Sequence, residues 1–136
     1  MHNSECAAVN ASVPPLVWND TLVIGAKTWA EHLATLKVID QSNAHSSGYI
    51  PGYKYGESIA TGGHNTTVPV SQNMQSWIAE KPKYHGEIMT ADNYLVFGHY
   101  TQMVWKNTKE VGCGFAGSSL VCRYSPPGNF MGQAPY

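Results

Sequence analysis

Apolar residues recur every three or four positions after Trp18, which is the spacing of one face of an α-helix. Asn19 or Asp20 can cap such a helix, because either side chain can accept a hydrogen bond from a free backbone N–H. The apolar stripe is made of Leu22, Ala26, Trp29, Ala30, Leu33 and Ala34. The pattern predicts one helix that continues to about Val38.

Two shorter helices are predicted further along the chain. Ser71 is a candidate N-cap for the first, and Met74, Trp77 and Ile78 fall on one side of it. Pro82 would end this helix, since proline disfavours the helical conformation in the residue before it. The second is expected over about residues 94–105.

The segments between these helices are rich in glycine, proline and polar residues. Loops are therefore expected over residues 7–18, 42–69 and 83–93, with room for one short helical turn in the second of them.

A β-hairpin is predicted around Gly117 and Ser118, because two strand-like runs, 111–115 and 120–124, flank this pair. Glycine at the first central position suits a two-residue type II′ turn. That turn sets Cys113 opposite Cys122 in a non-hydrogen-bonded pair, where Cα atoms lie about 4.5–5.5 Å apart and a disulfide can form. The alternative is two reduced cysteines packed as small apolar residues.

The elements mix helices and strands without a regular β-α-β alternation, so the sequence predicts an α+β fold. A length of 136 residues suits a single domain spanning 1–136. Eight basic and nine acidic residues leave a net charge of −1, which argues against a nucleic-acid-binding protein. Since there is no apolar run of about 18 residues, no transmembrane segment is expected.

Three Asn-x-Ser/Thr sequons, at Asn10, Asn19 and Asn65, are candidate glycosylation sites for a chain that enters the secretory pathway. A Cys113–Cys122 disulfide would also favour an oxidising compartment, with Cys6 left without a partner. Residues 1–3 lead directly into polar sequence. We therefore expect a secreted, extracellular protein whose signal peptide was removed before residue 1.

Six histidines stand out in a chain with few charges. His45 and His99, with Glu57, Glu80 or Glu87, could supply zinc ligands. Their separations match no local metal motif, so exposed histidines and solvated glutamates remain the alternative. A serine-hydrolase nucleophile elbow is not supported at residues 56–60 (GESIA), because they lack its last glycine and its preceding strand.

Two longer motifs resemble those of a known family. Residues 98–108 (GHYTQMVWKNT) resemble the first signature of the CAP superfamily, and residues 120–130 (LVCRYSPPGNF) resemble the second. This superfamily groups cysteine-rich secretory proteins, insect antigen 5 and plant pathogenesis-related protein 1. Shorter matches extend over essentially the whole chain, and the pattern is most similar to pathogenesis-related protein 1, from plants or from a fungal relative.

The resemblance implies a three-layer α–β–α sandwich with a central antiparallel sheet. It also implies a cavity in which His45 and His99 hold a divalent metal, zinc or alternatively magnesium, with Glu57 and Glu80 behind them. Glu80 is preferred over Glu87 because it follows Trp77 by three residues, as in the family motif. Plant relatives carry six cysteines where this chain has three, so two of their disulfides are expected to be missing.

The function implied by the resemblance is the binding of sterols or fatty acids, with a role in defence or host interaction and no assigned catalytic residue. A fatty acid would lie between the helices at 20–38 and 94–105. Tyr49, Tyr53 and Tyr55 form a candidate lipid-contact loop, unless their rings pack on the domain. Two alternatives remain: a metal-dependent peptide or ester hydrolase using the same four residues, and a protein-interaction module.

Overall fold

A four-stranded sheet lies at the centre of the computed structural model, which describes residues 1–9, 13–46 and 54–136. The strands are β1 (Val17–Trp18), β2 (Gly56–Thr61), β3 (Glu110–Ala116) and β4 (Ser119–Ser125). The helices are α1 (His2–Val9), α2 (Asp20–Thr35), α3 (Val70–Ile78) and α4 (Ala91–Met103), with a 3₁₀ turn at Lys81–Lys83.

The strand order is β1-β3-β4-β2. Strands β2, β4 and β3 are antiparallel neighbours, as predicted, but the two residues of β1 pair parallel with β3. The sheet is therefore mixed rather than wholly antiparallel. The chain passes from β1 directly into α2, and it reaches β3, the parallel neighbour of β1, only after β2, α3 and α4.

The predicted hairpin is present with the predicted register. Gly117 has a φ of 59°, as the turn requires, and Cys113 pairs with Cys122 across the two strands. The two cysteines form a disulfide, with Cα atoms 4.1 Å apart. The disulfide prediction is confirmed.

Helix α2 covers one face of the sheet. Ala26, Ala30 and Leu33 are fully buried there against Val121 of β4. The approach is close because β3 presents Gly112 and Gly114 to the helix, where an added Cβ would collide with its backbone. Small residues on both surfaces thus allow helix and sheet to pack directly.

The opposite face carries α1, α3 and α4. The residues of β4 on this face are Leu120, Cys122 and Tyr124, which alternate with those that face α2. They are buried beneath aromatic and sulfur-containing side chains from these helices. The predicted α+β sandwich with three layers is confirmed. Since α2 and α4 lie on opposite faces of the sheet, a fatty acid between them would have to lie at an edge of the sheet, and this position stays a prediction.

Two loop predictions are wrong. Segment 42–69 contains strand β2, and segment 7–18 begins with the last turn of α1 and ends in β1. Strand β2 gave no apolar alternation because its buried positions include Gly56, Glu57 and Ser58, which are small or polar. Their burial depends on partners elsewhere in the chain.

The helix boundaries follow local capping chemistry. Asn19 caps α2 as predicted, accepting N–H bonds from Thr21 and Leu22, but the helix ends at Thr35 rather than Val38. Helix α3 begins at Val70 with no side-chain cap, so Ser71 is not its N-cap. Helix α4 begins three residues earlier than predicted because Thr90 and Asn93 form a capping box.

None of the helices in the described parts of the chain is long and apolar enough to cross a membrane.

Candidate functional site

A cavity of about 550 Å³ opens at the outer edge of β2. It brings together three of the four predicted site residues, His45, Glu57 and His99. The fourth, Glu80, lines an adjoining cavity of about 380 Å³, of which His99 is also part. The structure therefore gathers side chains that are as far as 54 positions apart in the sequence.

His45 and Glu57 form the first of two imidazole–carboxylate pairs. The Nδ1 atom of His45 lies 3.0 Å from Glu57 Oε1, and the side chain of Glu57 is fully buried. Ser46 donates its backbone N–H to the same oxygen at 3.0 Å and its hydroxyl to Oε2 at 2.9 Å. Both carboxylate oxygens of Glu57 are thus held before any ligand binds.

Arg123 supplies the positive charge that this buried carboxylate needs. Its Nε atom donates to Glu57 Oε2 at 3.0 Å, and its guanidinium lies 4.4 Å from the ring centre of Tyr55. Burial by itself would raise the pKa of Glu57. The hydrogen bonds from His45 and Ser46, with the charge of Arg123, instead lower this pKa below its usual value. Glu57 is therefore ionised at neutral pH.

His99 and Glu80 form the second pair. The Nδ1 atom of His99 lies 2.7 Å from Glu80 Oε1, and the backbone N–H of Tyr100 donates to Glu80 Oε2 at 3.0 Å. The imidazole is also stacked on Trp77, with the two rings within 5° of parallel. The hydrogen bond with Glu80 and the stacking on Trp77 together fix the orientation of the His99 ring.

A break in α4 makes this second pair possible. Phe97 has non-helical φ and ψ angles, so a new helical segment begins at Gly98. The first N–H groups of a helical segment have no acceptor within it, and its N-terminus favours negative charge. Glu80 satisfies the N–H of Tyr100, and it therefore caps this segment while it binds His99.

The two pairs repeat one arrangement. In each, a glutamate binds the Nδ1 atom of a histidine and the backbone N–H of the residue that follows it, Ser46 or Tyr100. With Nδ1–H donated to a carboxylate, the lone pair of each neutral imidazole is on Nε2. The preference for Glu80 over Glu87 agrees with this geometry, since Glu87 pairs with the exposed His85 instead.

The histidines and glutamates of the two pairs do not by themselves make a set of three metal ligands in the described part of the chain. The described residues contain no group of three or more His, Cys, Asp or Glu side chains arranged to hold a metal ion. Carboxylates that bind Nδ1 are typical supports behind histidine ligands. His45 and His99 thus have the support that metal-ligating histidines need, and a bound ion would take its other ligands from water or from a bound molecule.

Two cavity residues, Gln102 and Asn129, were not predicted. Gln102 accepts from the N–H of Gly128 and donates to Thr108, while Asn129 accepts from Thr101 and donates to the carbonyl of Gly98. Both lie within the quoted signature motifs at 98–108 and 120–130. Arg123 was missed as well, because its partner Glu57 is 66 positions away.

The predicted aromatic loop is only partly described. Tyr49 and Tyr53 lie outside the described residues, as does the sequon residue Asn10. Tyr55 packs on Arg123, and its hydroxyl lies 3.2 Å from Ser46 Oγ, so it acts as a support for the Glu57 cluster. The other two sequon residues differ in setting: Asn65 is exposed, and Asn19 is half-buried at its helix cap.

Comparison with known proteins identifies the family from the sequence and the fold from solved structures. The profile of the CAP family, described as the cysteine-rich secretory protein family, matches residues 9–124. Pathogenesis-related protein 1A of Nicotiana tabacum is 34% identical over 140 residues, covering 99% of this chain and 76% of its own length. Venom allergen 5 of Polistes dominula is 37% identical over 131 residues, covering 89% of this chain and 55% of its own length.

Solved structures share the fold at lower identity. The structure of NaASP2 with Zn²⁺ aligns with a TM-score of 0.72 and 22% identity, covering 99% of this chain and 80% of that one. The hookworm platelet inhibitor aligns with a TM-score of 0.66 and 19% identity, covering 99% and 70%. At such identities these similarities show the fold alone.

Proposed function

The chain belongs to the CAP family of cysteine-rich secretory proteins, and from this membership we propose that it is a secreted protein that binds sterols or fatty acids. The family and its pathogenesis-related and venom-allergen relatives support a role in defence or host interaction. The Cys113–Cys122 disulfide and the exposed sequon at Asn65 support an extracellular location.

The cavity beside β2 is the observation that carries the lipid proposal. Its volume of about 550 Å³ is within the range of small-molecule sites. Its lining includes the apolar side chains of Ile39, Ile59 and Leu95. The amides of Gln102 and Asn129, which also line it, already have hydrogen-bond partners within the protein. A largely apolar ligand could therefore enter without leaving these amides unpaired.

A charge at the rim of the cavity tests this proposal. Leu95 lines the cavity and is exposed, whereas the neighbouring Val96 is exposed but is not among the lining residues. In titrations with radiolabelled cholesterol and palmitate, we expect saturable binding that Leu95→Glu weakens at least about tenfold, because a carboxylate is poorly tolerated beside an apolar ligand. Val96→Glu should stay near the unmodified protein. An absence of saturable binding of both ligands, with and without zinc, would overturn the proposal.

We further propose that His45 and His99 hold a divalent metal, with zinc as the first candidate. The doubled imidazole–carboxylate arrangement supports this, and NaASP2, which shares the fold, was solved with Zn²⁺. Zinc would supply a positive charge and a Lewis acid at the cavity wall. Glu57 and Glu80 would keep both imidazoles in one tautomer and one orientation.

Native mass spectrometry with added Zn²⁺ tests the metal proposal. His99→Ala should abolish zinc uptake, and Glu80→Gln should weaken it by about 10–100-fold. The control is Glu87→Gln, in the exposed pair with His85, which should leave uptake unchanged. Equal zinc uptake by all these variants and the unmodified protein would place the metal elsewhere.

The hydrolase alternative has less support from this geometry. A general base needs a carboxylate oxygen that can take a proton from water. Both oxygens of Glu57 and both of Glu80 already accept hydrogen bonds from the protein, and the pKa of Glu57 is lowered rather than raised. The glutamates are therefore better suited to orient the histidines than to move protons.

A further inference from the structure

Strand β2 is an edge strand in the described part of the chain, and its outer side faces the cavity. It pairs with β4 on one side and is the last strand in the order β1-β3-β4-β2. Edge strands carry a row of N–H and C=O groups that can pair with another chain.

The register shows which of these groups face outward. In an antiparallel pair, alternate residues direct their N–H and C=O groups toward the partner strand. The N–H of Gly62 donates to Ser118, so Ala60 and Ser58 also direct their groups toward β4. The backbone N–H and C=O groups of Glu57, Ile59 and Thr61 therefore point away from β4. None of these outward groups has a hydrogen-bond partner among the described residues.

The outward row forms the floor of one continuous groove. Glu57, Ile59 and Thr61 all line the 550 Å³ cavity, and Ile59 and Thr61 also line the 380 Å³ cavity. The two cavities meet at Ile59, Thr61 and His99, which line both of them. The groove has a wall on each side. His45 lies on the side of α2, whose Trp29 donates to the carbonyl of the neighbouring Ala44, and Leu95 and His99 belong to α4 on the other side.

We infer that this groove binds an extended peptide, which adds to the sheet as a strand beside β2. Outward groups from Glu57 to Thr61 span about 13 Å, enough to pair with about five peptide residues. The raised walls admit a single extended chain more readily than the edge of a second folded copy. Alternate peptide side chains would enter the two cavities, and the residue paired with Glu57 would lie next to the histidines.

This inference goes beyond the proposed lipid binding, although both ligands would use the same groove. Lipid binding requires the apolar walls, whereas strand addition requires the backbone N–H groups of Glu57, Ile59 and Thr61. The two proposals can therefore fail separately.

Amide hydrogen exchange of the free protein is the first test. The amides of Glu57, Ile59 and Thr61 should exchange quickly, while those of Ser58 and Ala60, which bond to β4, should be protected. Protection of all five in the free protein at low concentration would overturn the inference. Protection of the outward amides that appears only as the protein dimerises would assign the edge to a second copy instead.

Selection from a phage-displayed library of linear octapeptides is the second test. A selected synthetic peptide should slow exchange at Glu57, Ile59 and Thr61, and protection confined to other amides would contradict strand addition. Ile59→Pro removes one outward N–H without touching the bonds to β4, and proline is tolerated on edge strands. We expect it to weaken peptide binding about threefold to tenfold, and Ile59→Val to leave it nearly unchanged.

The exchange pattern of the unmodified protein with the peptide decides the question if Ile59→Pro fails to fold. Equal enrichment of peptides on the unmodified protein and on a folded Ile59→Pro variant would overturn the inference.

Discussion

Glu57 and Arg123 are direct cross-strand partners in β2 and β4, and their side chains form an ion pair of 3.0 Å in which the carboxylate is fully buried. The pair belongs to the same cluster as His45, so the orientation of a cavity imidazole depends on a cation from the next strand. This coupling between sheet register and cavity geometry leads to the first prediction.

Arg123→Met should lower the free energy of unfolding by about 3–5 kcal/mol, because it leaves a buried carboxylate without its counter-charge. Urea denaturation measures this loss. Lys81→Met is the control: its pair with Glu5 is more exposed and should contribute about 0–1 kcal/mol. The double variant Arg123→Met with Glu57→Gln should recover part of the loss, and a loss of less than about 1 kcal/mol in the single variant would show that Glu57 is solvated.

Cys6 should react with thiol reagents only after unfolding. It is 1% exposed, its thiol donates to the carbonyl of Met103, and burial raises its pKa, which reduces the reactive thiolate. Titration with a chromogenic disulfide should detect no thiol in the native protein and one thiol per chain in denaturant. Three thiols in unreduced, denatured protein would contradict the Cys113–Cys122 disulfide.

His2 should make the protein less stable as the pH falls from about 6.5 to 4. Burial, with the nearby N-terminal charge, lowers the pKa of His2 from 6.5 to about 4. The unfolded chain therefore binds a proton in this window before the native protein does, and the stability present above pH 6.5 is progressively lost.

The variant His2→Phe isolates this contribution from other acid-sensitive groups. The stability difference between the unmodified protein and His2→Phe should shrink by about 2–2.5 kcal/mol between pH 7 and pH 4.5. Thermal denaturation at the two pH values measures it, with exposed His64→Asn as the control. A difference that is constant with pH would mean that His2 is solvated.

Asn19→Ala should destabilise the protein by about 0.5–2 kcal/mol, because it removes the oxygen that accepts the N–H groups of Thr21 and Leu22. Ser71→Ala is the matched comparison, since Ser71 makes no cap at the start of α3 and should change stability by less than about 0.5 kcal/mol. Denaturation midpoints of the two variants give the comparison. The reverse ranking would show that the helix starts differ from those described.

Local features of the sequence predicted local features of the fold. The turn at Gly117 and Ser118 was sufficient for the hairpin register and the disulfide, because a two-residue turn leaves one pairing of the strands that follow it. The apolar stripe and the Asn19 cap located α2, because both signals lie within or next to the helix itself. Strand β2 escaped prediction, since Glu57 and Ser58 are buried by contacts with distant residues and not by an apolar pattern of their own.

The candidate site shows the same division. Spacing alone left His45, Glu57, Glu80 and His99 as scattered polar residues, and only the resemblance of the signature motifs grouped them. The composition and motifs of the chain were enough to indicate its family and its layered α+β fold. Only the tertiary structure decided that Arg123 neutralises Glu57 and that the edge of β2 faces the cavity. It also decided that the break at Phe97 lets Glu80 cap the start of the helical segment that contains His99. Hydrogen bonds between residues up to 66 positions apart create these relationships, and no local pattern encodes them.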